Sequence, residues 1–242
     1  MALVDAVNVF AGLEAMSRAA AEAVVAAAAD AVAHTGRFTM GLSGGRTPGR
    51  LYELLGNEYR RAMPWDRTYL FWGDERNLPL DHAQSNYAMA KKTLLDRISI
   101  PTGHVHPVPV NPGNPDQAAI QYEETLRAFF GSEPPVFDLL LLGMGADGHT
   151  ASLFPGHPAA LEESHWVVAV HADVEPPVRI SLTMPILTGA RRTLFLVSGA
   201  DKWPVWSDIQ ADPRAAALRY PAARVSLDGH AIWYLDQAVA AR

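Results

Sequence analysis

The sequence predicts an α/β fold, with three α/β/α layers around a mostly parallel open sheet. Short apolar runs alternate with helical patterns along the chain, which is typical of βαβ units. Several of these runs are continuously apolar, as in strands that are buried on both faces of a sheet. The chain has 242 residues, of which 49% are hydrophobic and 19% charged, enough for one domain with a large core. We therefore expect a single domain over residues 1–242.

The predicted elements follow this alternation in order. The first helix is expected at about 9–34, where an alanine-rich pattern is interrupted by charged residues and so resembles neither a signal peptide nor a membrane span. The predicted strands are 37–42, 68–72, 136–142, 166–170, 179–182, 194–197 and 231–235. The other predicted helices are 50–55, 85–97, 117–130 and 183–190.

Composition excludes several classes of function. The net charge is −6, so the chain has no basic footprint for nucleic acid or an anionic membrane. It has no cysteine, which rules out disulfides, thiolate zinc sites and a cysteine nucleophile. We expect a cytoplasmic protein whose basic residues act locally on a small anion.

The first candidate motif is Ser43-Gly44-Gly45-Arg46-Thr47, which follows a predicted strand and precedes a helix. Two glycines let backbone N–H groups approach an anion, and the helix adds its positive end. The motif fits neither a dinucleotide fingerprint nor a nucleotide P-loop. It is either a phosphate-binding turn or an ordinary strand-to-helix turn.

The second motif is Gly73-Asp74-Glu75-Arg76, directly after the strand at 68–72. Side-chain alternation places Asp74 and Arg76 on one side and Glu75 on the other. Arg76 can hold a carboxylate or phosphate through its guanidinium fork, and Asp74 can orient a base or a water. A salt-bridged surface turn is the alternative.

The third motif is the stretch Gly143-Met-Gly145-Ala-Asp147-Gly148-His149 after the strand at 136–142. Its glycines allow positive φ and close backbone approach, and we expect backbone donors there to face a developing oxyanion. His149 lies outside any apolar periodicity, and an imidazole can accept a proton from water, so it is a candidate general base.

Weaker candidates lie elsewhere. His104 and His106 alternate as two metal ligands on a strand would, but no third ligand is nearby, so a solvated strand end is the better interpretation and no metal site is predicted. Arg179 begins an apolar run, and Lys202 follows another strand. Each is more often a surface charge, yet both lie where a ligand at the strand ends could be reached.

Together, LSGGRTP, GDER and GMGADGHTASLFPG resemble the glucosamine-6-phosphate isomerase/6-phosphogluconolactonase family, in its lactonase branch, over nearly the whole chain. The downstream Ser85-Asn86-Tyr87 and the run from Arg179 to Thr183 also match the family pattern. Arg46 departs from it, since a serine is more common there. The resemblance implies a deaminase/isomerase-like modified Rossmann topology.

The resemblance also implies a hydrolase that needs no metal, nucleotide or other cofactor and opens the ring of 6-phospho-D-glucono-1,5-lactone. His149 would activate water, and Asp74 and Arg76 would line the same pocket. The phosphosugar lactone is the expected partner, and family members are often monomers. The expected substrate-binding residues are Ser43, Gly44, Gly45, Arg46, Thr47, Gly145, Asp147, Gly148, Arg179 and Lys202. Of these, the resemblance implies that Gly44 to Thr47, Arg179 and Lys202 hold the phosphate end.

Two alternatives remain. A glucosamine-6-phosphate deaminase would be expected to carry a glutamate after the histidine, where this chain has Ala151 to Pro155. A non-catalytic sugar-phosphate sensor would be expected to add a DNA-binding segment, for which the chain has no spare length. The third motif has the GxGxxG spacing over 143–148, but a dinucleotide dehydrogenase is disfavoured because no ribose-binding acid closes the next predicted strand, 166–170.

Overall fold

The structure is a computed structural model that describes residues 7–227 and 229–240. The strands are β1 (Val7–Phe10), β2 (Phe38–Leu42), β3 (Thr68–Trp72), β4 (Asp74–Arg76), β5 (Leu139–Leu142), β6 (Val167–His171), β7 (Val178–Leu182), β8 (Thr193–Val197) and β9 (Ala231–Asp236). The helices are α1 (Leu13–Thr35), α2 (Arg46–Gly56), α3 (Asn86–Thr93), α4 (Pro115–Phe130), α5 (Met184–Thr188), α6 (Trp203–Ala211), α7 (Pro213–Ala217), α8 (Pro221–Val225) and α9 (Gln237–Ala240).

The main sheet has six parallel strands in the order β1-β9-β8-β5-β2-β3, which confirms the predicted α/β class and mostly parallel sheet. Its central strands β2, β5 and β8 are buried along their whole length, because both faces of a parallel sheet are covered. This burial explains their uninterrupted apolar sequences.

A second sheet of three antiparallel strands, in the order β4-β7-β6, was not predicted. The sequence placed strands near β6 and β7, but they pair with each other and with the polar β4 rather than joining the main sheet. Gly73 joins the two sheets: its N–H donates to Leu42 O at 2.9 Å, and its carbonyl accepts from the Leu182 N–H at 2.9 Å.

The prediction that the first helix begins near Val9 is wrong. Val7–Phe10 is an edge strand that pairs in parallel with β9, and α1 begins at Leu13 after Gly12. The partner strand lies more than two hundred residues away, so nothing local in the sequence indicates this pairing.

The remaining predicted helices are confirmed with shifted ends. The helix predicted at 50–55 begins earlier, at Arg46, and Pro48 lies in its first turn as expected. Asn114 is the N-cap of α4, since its side chain accepts a hydrogen bond from the Gln117 N–H at 3.1 Å. No helix among the described residues is both long and apolar enough to cross a membrane.

Candidate active site

A cleft of about 580 Å³ lies where both sheets meet. Segments that follow β2, β5 and β8 line it, and so do β4 and β7 of the second sheet. The carboxyl ends of parallel strands are the usual place for ligands in open α/β sheets. The predicted site residues that line the cleft are Ser43, Gly44, Gly45, Arg46, Thr47, Asp74, Arg76, Gly145, His149, Arg179 and Lys202.

The Ser43–Thr47 loop forms one end of the cleft. Gly45 has φ of 104°, a left-handed conformation that favours glycine, and α2 begins at the next residue. No side chain caps this helix, so the N–H groups of its first turn remain available to an anion. The Tyr52 hydroxyl fixes the loop because it donates to Ser43 O and accepts from Ser43 N–H, both at 2.9 Å.

A second loop, Ser198 to Lys202, lies at the same end. Asp236, at the end of β9, accepts hydrogen bonds from the Ser198 hydroxyl and, at 3.3 Å, from the Gly199 N–H. Lys202 Nζ lies 2.9 Å from Asp201, and this hydrogen bond lowers the pKa of the Asp201 carboxyl despite slight burial. Arg46 also contributes to that lowering through its charge, so Arg46 and Lys202 act on the same region.

Asp74 and Arg76 enter the cleft from β4, and Glu75 points to the other side, as the alternation predicts. Asp74 is 6% exposed and accepts hydrogen bonds from the Ser152 hydroxyl at 2.6 Å and the Asn86 amide at 3.2 Å. The guanidinium of Arg76 donates through Nη1 to Gln84 O at 2.9 Å and to Asn86 Oδ1.

Glu75 organises the segment behind the cleft. Its buried carboxylate accepts the N–H groups of Arg76, Asn86 and Tyr87 at 2.7, 2.7 and 2.8 Å. Burial raises the pKa of Glu75, and these donors oppose the rise. Since two of the donors open α3, Glu75 ties the start of that helix to β4, and its role is structural.

His149 lines the cleft with its ring packed on Phe154, the ring centroids lying 4.6 Å apart. Its Nδ1 lies 2.6 Å from Asp147 Oδ1, which also accepts the His149 N–H at 3.1 Å. Burial acts to raise the pKa of Asp147, but these bonds outweigh it, so the pKa is lowered. The acid beside the imidazole is therefore Asp147, whereas Asp74 bonds to Ser152 and Asn86.

Gly145 is required because a Cβ at this position would overlap the His149 ring and the Asp147 carboxylate. Two of the turn's backbone donors, the N–H groups of Gly145 and Gly148, are used inside the turn and do not face the cleft. Gly145 N–H donates to His149 O at 2.9 Å, and Gly148 N–H donates to Gly145 O at 3.0 Å.

Asp147 and Gly148 do not line the cleft, although both were expected to bind substrate. Gly148 has φ of 85° and lies under Tyr220, whose ring a Cβ would overlap. The Ala222 N–H also donates to Gly148 O at 3.1 Å. The α7–α8 segment thus supports the His149 turn from behind.

Arg179 lies opposite Arg76 in the register of β4 and β7. Its guanidinium is 5.5 Å from the centroid of Phe154, the ring that also contacts His149. Burial lowers the pKa of Arg179, while the charge of Asp74 acts in the opposite direction. Arg179 Nε also donates to Pro176 O at 3.1 Å, so the segment before β7 holds this side chain near the histidine end of the cleft.

Four basic side chains line the cleft against two carboxylates, although the whole chain is acidic. The basic residues are Arg46, Arg76, Arg179 and Lys202. Such a surplus suits an anionic ligand. Among the described residues, no cluster of three potential metal ligands occurs. His104 and His106 stack on Tyr69 and Phe71, at centroid distances of 3.9 and 4.6 Å, and so serve in packing.

Sequence reasoning gave no role to four residues that hold this site. Asn86 and Ser152 occur in the motifs that carry the family resemblance but were given no partner there, and Tyr220 and Asp236 were given no role. A polar residue close in sequence to a predicted motif is the signal that could have indicated a role for Ser152 and Asn86. No such signal exists for Tyr220 and Asp236, because their contacts are with distant parts of the chain.

Comparison with known proteins agrees with this geometry. The family model described as glucosamine-6-phosphate isomerases/6-phosphogluconolactonase matches residues 12–233. A 6-phosphogluconolactonase of Synechocystis is 43% identical over 86% of this chain and 85% of its own. The human 6-phosphogluconolactonase is 40% identical over 97% of this chain and 92% of its own.

Solved structures show the same similarity. The 6-phosphogluconolactonase from Trypanosoma cruzi superposes with a TM-score of 0.85 at 30% identity, covering 99% of this chain and 97% of that one. A monomeric glucosamine-6-phosphate deaminase has a TM-score of 0.77 at 19% identity, which shows a shared fold. The chain therefore belongs to the glucosamine-6-phosphate isomerase/6-phosphogluconolactonase family.

Proposed function

We propose that this chain hydrolyses 6-phospho-D-glucono-1,5-lactone to 6-phospho-D-gluconate, a step of the oxidative pentose phosphate pathway. The observation that carries the proposal is the pairing of His149 with Asp147 in a cleft that also holds an uncapped helix start and four basic side chains. The names of the relatives at 40% and 43% identity support the lactone as substrate.

His149 is the proposed general base. With its Nδ1 proton donated to Asp147, the imidazole has Nε2 as its acceptor, and this nitrogen makes no hydrogen bond with the described residues. A water bound there would lose its proton to Nε2 as its oxygen attacks the lactone carbonyl carbon. General-base assistance of this kind contributes about 10²–10⁴-fold to a rate.

Arg76 is the proposed stabiliser of the negative charge that develops on the carbonyl oxygen. The Gly145 and Gly148 N–H groups of the glycine turn are occupied, and Arg76 offers a charged donor in the same cleft. Arg76 is held by two hydrogen bonds that Nη1 donates, and Nη2 makes no hydrogen bond with the described residues. Collapse of the tetrahedral intermediate breaks the ring C–O bond, and the proton held by His149 passes to the leaving oxygen.

Asp74 is the proposed partner of the attacking water. Its carboxylate lines the cleft and is fixed by hydrogen bonds from Ser152 and Asn86. The Nδ1 atom of His149 is already hydrogen-bonded to Asp147. Of the two roles that the sequence left open, this arrangement supports orientation of the water rather than of the ring.

The phosphate group is proposed to bind at the other end of the cleft. The first-turn N–H groups of α2, the Thr47 hydroxyl, Arg46 and Lys202 are the donors there. This remote group fixes the lactone relative to His149, so that its binding energy contributes to orientation. Arg179, whose guanidinium lies near Phe154 at the histidine end, is proposed to bind the sugar there instead of the phosphate group that the resemblance implies.

The experiment follows decay of 6-phosphogluconolactone, generated in situ at neutral pH, against the spontaneous rate. Ammonia release from glucosamine 6-phosphate is measured in parallel. Decay well above background without ammonia supports the lactonase. Background decay overturns it, and points to the deaminase if ammonia appears or to a binding protein if it does not.

The proposal extends to a monomeric, cytoplasmic enzyme that needs no metal or other cofactor, as the sequence resemblance implies. Full activity in excess EDTA and elution at the monomer mass support these points. Loss of activity in EDTA that a divalent cation restores would contradict the metal-independent mechanism.

A further inference from the structure

We propose that Asn86 is a positioning residue that couples the phosphate-binding loop to Asp74 and Arg76. This inference rests on the proposed lactone hydrolysis and adds a residue to it. Asn86 is the first residue of α3 and is 1% exposed, yet it lies at the surface of the cleft. Its side-chain amide lies between the two ends of the site.

The amide contacts both residues proposed for the chemistry. Its Nδ2 donates to Asp74 O at 2.8 Å and to Asp74 Oδ1 at 3.2 Å, and its Oδ1 accepts from Arg76 Nη1. Both N–H bonds of the amide are therefore used within the protein. Asn86 acts on the substrate through Asp74 and Arg76, whose orientations it fixes relative to each other.

The same amide contacts the phosphate-binding loop. A Cβ on Gly44 would overlap the oxygen, carbon and nitrogen of the Asn86 amide, so this glycine allows the loop to lie directly against it. Movement of the loop toward a bound phosphate therefore changes the space available to the amide. Packed side chains transmit such shifts because the interior is close-packed.

The position of Asn86 is itself fixed from the opposite side. Its N–H donates to Glu75 Oε1 at 2.7 Å, and Ser85 and Tyr87 donate to the other carboxylate oxygen at 3.0 and 2.8 Å. The backbone of Asn86 is thus anchored to β4, and its side chain is the part that faces Gly44. This arrangement allows phosphate binding to order Asp74 and Arg76 for the reaction.

The first test compares Asn86→Ala with Asn77→Ala. Asn77 is a matched control because it is 4% exposed, directly follows β4, and exchanges two hydrogen bonds with the Asn111 backbone outside the cleft. We expect Asn86→Ala to lower kcat about 10- to 100-fold with KM changed less than about threefold, and Asn77→Ala to keep both within about twofold. Equal kcat values in the two variants would overturn the inference.

The second test is a double-mutant cycle with Gly44→Ala. In the wild-type background the added methyl group displaces the Asn86 amide, so kcat is expected to fall about tenfold. In Asn86→Ala the overlap is relieved, and the same substitution is expected to lower kcat by less than about threefold. If the loss of kcat in the double variant equals the product of the losses in the two single variants, the coupling is overturned.

If Asn86→Ala fails to fold, Asn86→Asp replaces it, because a carboxylate keeps the acceptor for Arg76 and removes both donations to Asp74. A lower kcat with unchanged KM supports the inference, and wild-type kcat contradicts it. Wild-type hydrolysis of the lactone is measured first in every series. Its absence would refute the proposed function, whereas its presence with a wild-type kcat in Asn86→Asp would refute this inference alone.

Discussion

The two ends of the cleft are built in different ways. At the histidine end, side chains from separate elements hold one another, as in the bonds from Ser152 and Asn86 to the buried Asp74. At the phosphate-binding end, the donors are backbone N–H groups together with Arg46, which is exposed, and Lys202, whose partner Asp201 is mostly exposed. The first construction fixes reacting groups, and the second presents positive charge to an anion.

Because the two ends are built differently, we expect them to respond differently to substitution. Groups that act on the transition state need fixed geometry, so changes at the histidine end should lower kcat. Groups that hold a remote phosphate contribute mainly to affinity, so changes at the other end should raise KM.

The largest effect is expected for His149→Ala. Loss of the base should lower kcat by about 10²–10⁴-fold in stopped-flow or coupled measurements of lactone decay. His165→Ala is the control, because His165 has a 64% exposed side chain in a loop and pairs with Glu162. Retention of more than a tenth of the wild-type kcat in His149→Ala would contradict the general-base role.

Lys202→Ala should change KM rather than kcat. Removal of one cation from the phosphate-binding end should raise KM about 10- to 100-fold, the value of a charged hydrogen bond, with kcat nearly unchanged. Lys92→Ala removes the same charge from the exposed surface of α3 and serves as the control. Equal KM values for the two variants would exclude Lys202 from phosphate binding.

Gly148→Ala should disturb the support of the His149 turn. The substitution combines a left-handed backbone with overlap of the Tyr220 ring, so we expect a loss of unfolding free energy above about 2 kcal/mol and a several-fold lower kcat. Gly156→Ala has a similar φ of 73° but open space around its Cβ, and should lose only about 1 kcal/mol. Equal losses in urea unfolding would show that Tyr220 contributes nothing.

The smallest effect concerns the pH dependence of stability. The pKa of Asp147 is lowered in the folded protein, so its ionised form stabilises the fold above the ordinary value of 3.8. That contribution is lost as the pH falls through the lowered pKa. Because Asp147 is half exposed, we expect Asp147→Asn to cost less than about 1 kcal/mol at pH 7, and the difference from wild type to shrink in acid. A difference that grows in acid would contradict this sign.

Much of the fold was predictable because its signals are local. The sequence alone predicts the strands β2, β5 and β8 from their apolar runs, and it predicts α4 from its amphipathic pattern. The strand β4 is not predictable in this way, because Asp-Glu-Arg has no apolar pattern. It is a strand because β7 supplies its backbone partners. The N-terminal strand β1 is likewise defined by its pairing with the distant β9.

The candidate site shows the same division. The three motifs could be predicted because their residue types and their positions after strands are visible in sequence, and the structure brings them into one cleft. The acid that bonds to the His149 ring could not be predicted, because the choice between Asp74 and Asp147 depends on the geometry of the turn. Asn86 could not be assigned either, because its role comes from three-dimensional contact with Gly44.

The most direct test of this division is calorimetric binding of 6-phosphogluconate to His149→Ala and Lys202→Ala, set beside their kcat values. We expect His149→Ala to bind the product within about threefold of wild type while its turnover is lost. Lys202→Ala should lose at least about tenfold in affinity while its turnover persists. Loss of affinity in His149→Ala that matches its loss of turnover, or wild-type affinity in Lys202→Ala, would contradict this division.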